Sequence, residues 1–203
     1  MRLFDSIGPN PHVVRMAAAE KGLTLDRVTV DIMKGVNREP DYLARNPVGS
    51  TPALELDDGS IISEITAIAE YFEDIAPTPP IIGTTPTQRA QTRMWVRRID
   101  LGIVEPMANG FRATQGRRMF EPRMMLASEA GGEHLKAMAA ARLLWLDNLM
   151  TSDYVCGDRF TLADILLFCF VQFGAQVGQP MPAGATWLPA WRDRIAARPS
   201  AAA

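Results

Sequence analysis

The stretch that decides the fold is Asn46-Pro-Val-Gly-Ser-Thr-Pro-Ala-Leu-Glu-Leu-Asp-Asp-Gly-Ser-Ile-Ile-Ser-Glu-Ile-Thr-Ala-Ile-Ala-Glu-Tyr-Phe-Glu73. It predicts a loop, a short strand at Ala53–Leu56, a return strand that begins at Ile61, and a helix to about Ile75. Asp58-Gly59 marks the turn between the strands, because a two-residue hairpin needs positive φ angles that Asp-Gly tolerates. The segment therefore indicates a β-hairpin followed by a helix.

Two positions in this stretch indicate a ligand site. Pro52 stands just before the first strand and has no N–H to donate to a neighbouring strand. A central strand is expected to begin this way only if the backbone next to the proline binds something else. A cis Thr51–Pro52 bond would turn the N–H and C=O of Thr51 outward, where an extended ligand can pair with them. Glu64, at the start of the helix, would lie beside free N–H groups that attract a carboxylate. We therefore expect an extended ligand to pair with the Thr51 backbone here, and a carboxylate to be favoured at the start of the helix.

Outward from this stretch, residues 1–76 alternate strand and helix in the order βαβ and then ββα, which is the order of a thioredoxin-like domain. The other predicted elements of this half are strands at Arg2–Asp5 and Thr24–Asp31 and helices at Pro11–Lys21 and Glu39–Asn46. Gly22 ends the first helix as a C′ residue. Residues 77–86 are rich in proline and predict a stiff linker.

Strand signals vanish after residue 86, so residues 87–203 predict an all-helical domain. Helical patterns cover Thr87–Thr114, Glu133–Met150, Leu162–Gln172 and Trp187–Ala197. Pro106 should kink the first of these helices. Thr161 and Asp164 form a capping-box variant at the start of the third, which is apolar nearly all round and should be buried.

Composition excludes several function classes. The chain has 203 residues, of which 47% are hydrophobic and 22% charged, as in ordinary globular proteins. A net charge of −2 provides no electrostatic footprint for nucleic acid or an anionic membrane. No apolar run is long enough to span a bilayer. The two cysteines form no metal or disulfide motif, so we expect a cytoplasmic protein without a metal.

The whole pattern resembles the glutathione S-transferase family, with an α+β thioredoxin-like half and an all-helical half. The matching positions in the first half are Asn46, Pro47, Gly49, Pro52, Leu54, Glu64, Ala67, Ile68, Tyr71 and Phe72. Gly157–Asp164 matches the family's folding motif in the second half. Thr51 replaces the usual Val before the Pro, and Ile65 replaces the Ser whose hydroxyl normally reaches the γ-glutamyl carboxylate.

The resemblance implies that glutathione is the co-substrate. It implies that the Thr51 backbone pairs with the cysteinyl part, that Glu64 binds the α-ammonium, and that a basic residue reaches the glycyl carboxylate. Arg38 is the first choice for that cation and Lys34 the second. The N–H of Ile65 and the hydroxyl of Thr66 could replace the missing Ser hydroxyl.

The resemblance also directs attention to the turn Asp5–His12, from which the family takes the group that activates the thiol. This turn has no Tyr or Cys, and Gly8 stands where several classes have Ser. A Pro-Asn pair here is similar to nu-like bacterial members, in which an Asn side chain approaches the sulfur. Asn10 is therefore the first candidate and Ser6 the second. As an alternative, Asn10 is an N-cap before Pro11 at N1.

The electrophile should bind between the halves, against the kinked helix. The candidates for this pocket are Ile7, Trp95, Arg98, Met107, Phe111 and Arg112. Helical spacing also suits a purely structural core role for the Met and the aromatics. The identity of the electrophile is beyond the sequence.

Three functions remain open at this level. The first is a transferase that conjugates or reduces small hydrophobic electrophiles with glutathione, with disulfide or peroxide reduction as a related activity. The second is a non-catalytic module that binds glutathione or an apolar ligand. The third is an interaction protein that uses the scaffold without glutathione. The resemblance further implies a homodimer, in which Glu70, Glu73 and Asp74 of one chain would face Arg89, Arg93 and Arg97 of the other.

Overall fold

The computed structural model describes residues 1–203. The chain forms two compact units, Met1–Ile82 together with Pro199–Ala203, and Gly83–Arg198. The first unit contains a four-stranded sheet with helices, and the second is helical. None of the helices has both the length and the apolar content needed to cross a membrane.

The sheet of the first unit has the order β2-β1-β3-β4. Its strands are β1 Arg2–Asp5, β2 Asp26–Thr29, β3 Ala53–Glu55 and β4 Ile61–Ser63. β1 is parallel to β2 and antiparallel to β3, and β3 is antiparallel to β4. The helices are α1 Pro9–Glu20, α2 Pro40–Leu43 and α3 Ile65–Ile75, with 3-10 turns at Val36–Arg38 and Pro199–Ala202.

Successive residues of a strand point to opposite faces of the sheet, and both faces are covered at the central strands β1 and β3, whereas β2 is exposed. Leu3 pairs with Leu54, and both are fully buried. Phe4 points the other way and meets Tyr42 of α2 edge to face, with ring centroids 6.0 Å apart. α1 and α3 pack against each other.

A buried ion pair joins the ends of α1 and α3. Lys21 Nζ lies 2.6 Å from Glu73 Oε2, and both side chains are almost completely buried. The same lysine donates to the carbonyl of Pro79, while Glu73 accepts from the N–H groups of Ile81 and Ile82. The expectation that Glu73 faces a partner subunit is therefore wrong, because its carboxylate is buried inside its own unit.

The second unit is built from helices. They are α4 Pro86–Ile99, α5 Glu105–Ala113, α6 Arg117–Phe120, α7 Glu129–Leu149, α8 Leu162–Gln176 and α9 Trp187–Ala196. A π-helical segment, Asp100–Val104, joins α4 to α5, and within it the N–H of Glu105 bonds to the carbonyl of Asp100. Pro106 has no N–H for the carbonyl of Gly102, which explains why the irregularity lies just before the proline.

Helix α7 begins one turn earlier than the sequence pattern predicts. Ser128 is its N-cap and accepts a hydrogen bond from the N–H of Gly131. Gly132 lies against α5, where a Cβ would come within 2.8 Å of the Cβ of Ala113. A Cβ at Gly110 would come within 2.6 Å of the Lys136 side chain. The glycines therefore allow α5 and α7 to approach closely, at the cost of weak local helix propensity.

The capping box at Thr161 and Asp164 is confirmed. Asp164 is fully buried and accepts from the N–H groups of Val155 and Thr161 and from the indole of Trp191. Burial raises the pKa of Asp164, and these donors oppose that rise. The aspartate therefore connects α8, α9 and the preceding loop around one carboxylate.

Candidate functional site

One edge of the sheet brings together the segments that the sequence identified as ligand-binding. Phe4 pairs with Ala53, and Ala53 pairs with Ser63. In an antiparallel pair, the end of one strand lies beside the start of the other, so the residues just beyond these two ends are also neighbours. The turn after β1, the segment before β3 and the residues after β4 are therefore neighbours.

Thr51 supplies free main-chain groups at this edge. The Thr51–Pro52 peptide bond is cis, as the sequence pattern led us to expect. Thr51 is half-buried and Pro52 is buried. No hydrogen bond within the chain uses the N–H or C=O of Thr51. An extended ligand can therefore pair with this residue.

Three side chains hold the loop that leads to Thr51. The Tyr42 hydroxyl and the Asn46 amide donate to the carbonyl of Ser50, at 2.6 and 2.9 Å. The Asn37 amide donates to the carbonyl of Gly49 at 2.6 Å. Burial raises the pKa of Tyr42, so its hydroxyl stays a donor at neutral pH. The loop that carries Thr51 is thus fixed by hydrogen bonds to the carbonyl groups of Gly49 and Ser50.

Glu64 lies across from this segment, directly after β4. Its side chain is exposed, and it is the one non-glycine residue with a positive φ, 71°. It is the N-cap of α3 without a side-chain cap, and the first α3 amide to find a partner is that of Ile68. The N–H groups of Ile65 and Thr66 therefore have no partner in the chain. They lie next to Glu64, whose backbone is in a strained conformation.

The two basic candidates differ in what they contact. Arg38 donates to the carbonyl of Val48 at 3.2 Å, and a Cβ at Gly49 would come within 2.8 Å of its guanidinium. Arg38 therefore lies against the loop before Thr51. Lys34 is 82% exposed and pairs with Asp31 at 3.3 Å. No contact links Lys34 to that loop.

The first turn differs from the expected capping arrangement. α1 starts at Pro9 with Gly8 as its N-cap, so Asn10 is the second helical residue and caps nothing. Its half-buried amide has no partner in the chain, and Pro9 and Pro11 on either side have no N–H. Ser6 is engaged, because its hydroxyl donates to the carbonyl of Val30 at 2.7 Å.

The sequence did not reveal what holds this turn in place. Asp5 is buried and binds Arg15 at 2.7 Å and Arg27 at 2.6 Å. Arg15 also donates to the carbonyl of Ala203, and a ring nitrogen of His12 lies 3.1 Å from the carbonyl of Ala201. Burial and the charge of Arg15 lower the pKa of His12, against the effect of that carbonyl.

The pocket candidates in the helical unit fall into two groups. Trp95 and Arg98 stack at 4.8 Å on α4, near Trp145 of α7. Phe111 and Arg112 lie on α5, 13 to 17 residues further along the chain, which corresponds to about 20–25 Å at 1.5 Å per helical residue. One small molecule cannot touch both groups. Met107 is 1% exposed and packs against Gly174, so it is a core residue. In the first unit, Ile7 is 64% exposed.

Domain comparisons identify both halves. The N-terminal domain of glutathione S-transferases matches residues 7–75, and their C-terminal domain matches residues 127–199. Glutathione S-transferase 2 of Saccharomyces cerevisiae is 34% identical over 206 residues, covering 98% of this chain and 87% of that protein. The chain therefore belongs to the glutathione S-transferase family, which confirms the fold and the enzyme class predicted from the sequence.

Solved structures agree with this assignment. A glutathione S-transferase domain-containing protein from Marinobacter aquaeolei has a TM-score of 0.92 and 35% identity, covering 99% of this chain and 100% of that one. A glutathione transferase homologue from Sulfitobacter, solved with bound glutathione, has a TM-score of 0.79 and 27% identity, covering 99% and 95%. No group of three or more His, Cys, Asp or Glu side chains is arranged to hold a metal ion.

Proposed function

We propose that this protein is a glutathione transferase that conjugates or reduces small hydrophobic electrophiles with the thiolate of glutathione. The observation that carries the proposal is the juxtaposition at one sheet edge of the unused Thr51 backbone and the exposed Glu64 carboxylate. An extended tripeptide such as glutathione needs a main-chain partner for its backbone and, next to it, an anion for its ammonium group. The Sulfitobacter homologue with bound glutathione supports the same ligand.

Each part of glutathione then has a partner in the first unit. The cysteinyl N–H and C=O pair with Thr51 ahead of Pro52, and the α-ammonium pairs with Glu64. The γ-glutamyl carboxylate takes the N–H groups of Ile65 and Thr66, with the Thr66 hydroxyl nearby. The glycyl carboxylate takes Arg38, whose contact with the loop before Thr51 favours it over Lys34.

Asn10 is our candidate for the group that stabilises the thiolate. A free thiol has a pKa of about 8.5, so a donor that favours the anion increases the reactive fraction at neutral pH. The amide of Asn10 has no competing partner, whereas the Ser6 hydroxyl proton is used by Val30. In the reaction with an aryl chloride, the sulfur forms a C–S bond, chloride leaves with its bonding pair, and the thiol proton passes to solvent.

The helical unit supplies the residues for the electrophile in this proposal, with Phe111 and Arg112 as the leading pair. Conjugation of such electrophiles would amount to detoxification in the cytoplasm. We also propose a homodimer that covers the exposed Ile75 of α3 and Met94 of α4, which are 44% and 41% exposed. Sedimentation tests this assembly, and a monomer at all concentrations would contradict it.

The function is tested by binding and turnover measured together. We expect calorimetry to show glutathione binding, and 1-chloro-2,4-dinitrobenzene to react faster with glutathione in the presence of the protein than without it. Binding without turnover of any electrophile would leave a ligand-binding role. Absence of both heat and thermal stabilisation by glutathione would contradict the proposal and favour an interaction protein.

Disulfide or peroxide reduction is the second candidate. It is favoured by the engagement of Ser6, which leaves an amide rather than a hydroxyl to face the sulfur. The two activities separate when the same preparation is assayed with an aryl halide and with a hydroxyethyl disulfide. A larger kcat/KM for the disulfide would make reduction the main activity.

A further inference from the structure

The side chain of Arg112 on α5 is a half-buried cation that makes no ion pair, although the charge of Glu105 acts on it. Its guanidinium has five N–H donors. The structure uses one nitrogen, Nη1, which donates to Asn109 Oδ1 at 2.9 Å. The amide of Asn109 in turn donates to Glu105 Oε2 at 3.0 Å, so Glu105 reaches the arginine only through Asn109. Desolvation lowers the pKa of Arg112, and the charge of Glu105 opposes that effect.

The surroundings of this cation are aromatic. The guanidinium stacks over the ring of Phe120, 5.7 Å from its centroid. Phe120 meets Phe111 edge to face at 6.1 Å, and Phe111 meets Phe173 at 5.1 Å. All three rings are half-buried, so they leave apolar surface exposed beside the charge. Such surface binds a flat apolar ligand well.

Two other arginines of the same region make contacts of their own. Arg117 donates to Glu121 at 2.7 Å and to the carbonyl of Ala127. Arg142 stacks on Trp145 at 4.6 Å, on the surface of α7. Arg112 differs because it is partly buried, stacks on Phe120 of a cluster of three phenylalanines, and has no carboxylate within ion-pair distance.

We infer that Arg112 binds a carboxylate on an aromatic electrophile, and so makes this enzyme selective for anionic aromatic substrates. The planar fork of an arginine matches a carboxylate in two parallel hydrogen bonds, while the phenylalanine rings contact the aromatic body. This inference rests on the proposed transferase function. It adds the substrate class, which the sequence did not provide.

The test uses two electrophiles, one with and one without the negative charge: 4-chloro-3,5-dinitrobenzoate and its methyl ester. Each variant is compared with the wild type on the same substrate, because the ester also differs in size and intrinsic reactivity. Two hydrogen bonds to a charged group predict that Arg112→Gln lowers kcat/KM for the benzoate by about 10- to 100-fold. The kcat/KM for the ester should change by less than about threefold, because the ester has no negative charge for Arg112 to bind. Arg112→Lys should be intermediate for the benzoate, since it keeps the charge but not the fork.

The matched control is Arg118→Gln, which removes an exposed arginine from α6. It should leave both substrates unchanged. Equal losses for benzoate and ester in Arg112→Gln, or an equal loss of the benzoate reaction in the control, would overturn the inference. Thermal melting of each variant identifies a folding defect.

Direct binding separates this inference from the transferase proposal. Calorimetry with 3,5-dinitrobenzoate, without glutathione, should show binding to the wild type that weakens at least tenfold in Arg112→Gln. If the wild type turns over neither electrophile but binds the benzoate through Arg112, the transferase proposal fails and the anion site stands. Equal affinity for the benzoate in the wild type and in Arg112→Gln would contradict the proposed anion site.

Discussion

Glu64 combines two properties that rarely occur together in one side chain. It is exposed, yet its backbone has a φ of 71°, a conformation that costs a residue with a side chain about 1–3 kcal/mol. The fold gains nothing visible from the carboxylate, which caps no helix and pairs with no cation. Backbone strain of this kind at an exposed residue is typical of a functional site.

Glu64→Gly is therefore expected to separate stability from binding. We expect the free energy of unfolding to rise by about 0.5–1 kcal/mol, because glycine adopts this φ freely. Glutathione affinity should fall at least tenfold with the loss of the carboxylate. Urea unfolding and calorimetry measure the two effects.

The control for this change is Glu39→Gly, at another exposed helix N-cap whose φ is an ordinary −72°. It should not stabilise the protein, and it should leave glutathione affinity unchanged. Tight glutathione binding by Glu64→Gly would contradict the role of the carboxylate.

Asn10→Ala tests the thiolate partner. Because the amide would act on the sulfur, the pKa of bound glutathione should rise and kcat should fall by roughly 10- to 100-fold, within the range of a lost charge-assisted hydrogen bond. The KM for glutathione should change little. The thiolate absorbance near 240 nm, followed against pH, gives the pKa directly.

Ser6→Ala is the comparison. It removes the bond to Val30, so it should lower stability by about 1 kcal/mol and leave the thiol pKa unchanged. A thiol pKa that moves in Ser6→Ala and not in Asn10→Ala would reverse the two assignments.

Among the elements, the capping box of α8 is the strongest structural anchor. Asp164→Asn should lower the free energy of unfolding by about 3–5 kcal/mol, because its amide would point N–H groups at donors in a buried site. Asp158→Asn, at an exposed position of the same loop, should change it by less than about 0.5 kcal/mol. Urea denaturation measures both, and similar stability of the two variants would contradict the anchor role.

Elements with local signals were predictable, and those that depend on distant contacts were not. Thr161 and Gly22 mark helix ends within a few residues, and both predictions agree with the structure. Asp58-Gly59 does lie in the turn, but the two-residue turn predicted there is wrong: Leu56 pairs with Ser60 around three residues, and of these only Gly59 has a positive φ. The start of α7 was hidden because Gly131 and Gly132 disfavour a helix on their own. Gly132 is required by its close approach to Ala113 of α5, and no local pattern contains that contact.

For the molecule as a whole, the Pro199–Ala202 turn is bound to α1. Ser200 donates to Glu20, His12 contacts the carbonyl of Ala201, and Arg15 donates to the carbonyl of Ala203. These contacts join residues 180 to 189 positions apart. Since they are made largely through carbonyl groups, they leave no side-chain pattern in the sequence, and the sequence could not predict them.

His12 makes this contact sensitive to acid. Burial lowers the pKa of His12 in the folded state below its ordinary 6.5, so the unfolded chain binds more protons. The resulting stability is present above pH 6.5 and is lost as the pH falls toward the folded pKa. We expect the melting temperature to drop between pH 6.5 and 5, and His12→Gln to reduce that drop.

His134→Gln serves as the control, because His134 is an exposed residue of α7. Its melting temperature should follow the wild type at each pH. An unchanged acid response in His12→Gln would show that other groups cause it.

The enclosure of Lys21 by Glu73 and Pro79 bears on chemical labelling. Amine-reactive dyes need an accessible, uncharged amine, and that lysine is sealed between two helices. Lys34, 82% exposed and four residues before Arg38, is open to the reagent. A limiting dose of an acylating fluorophore should therefore mark Lys34 in preference to Lys21.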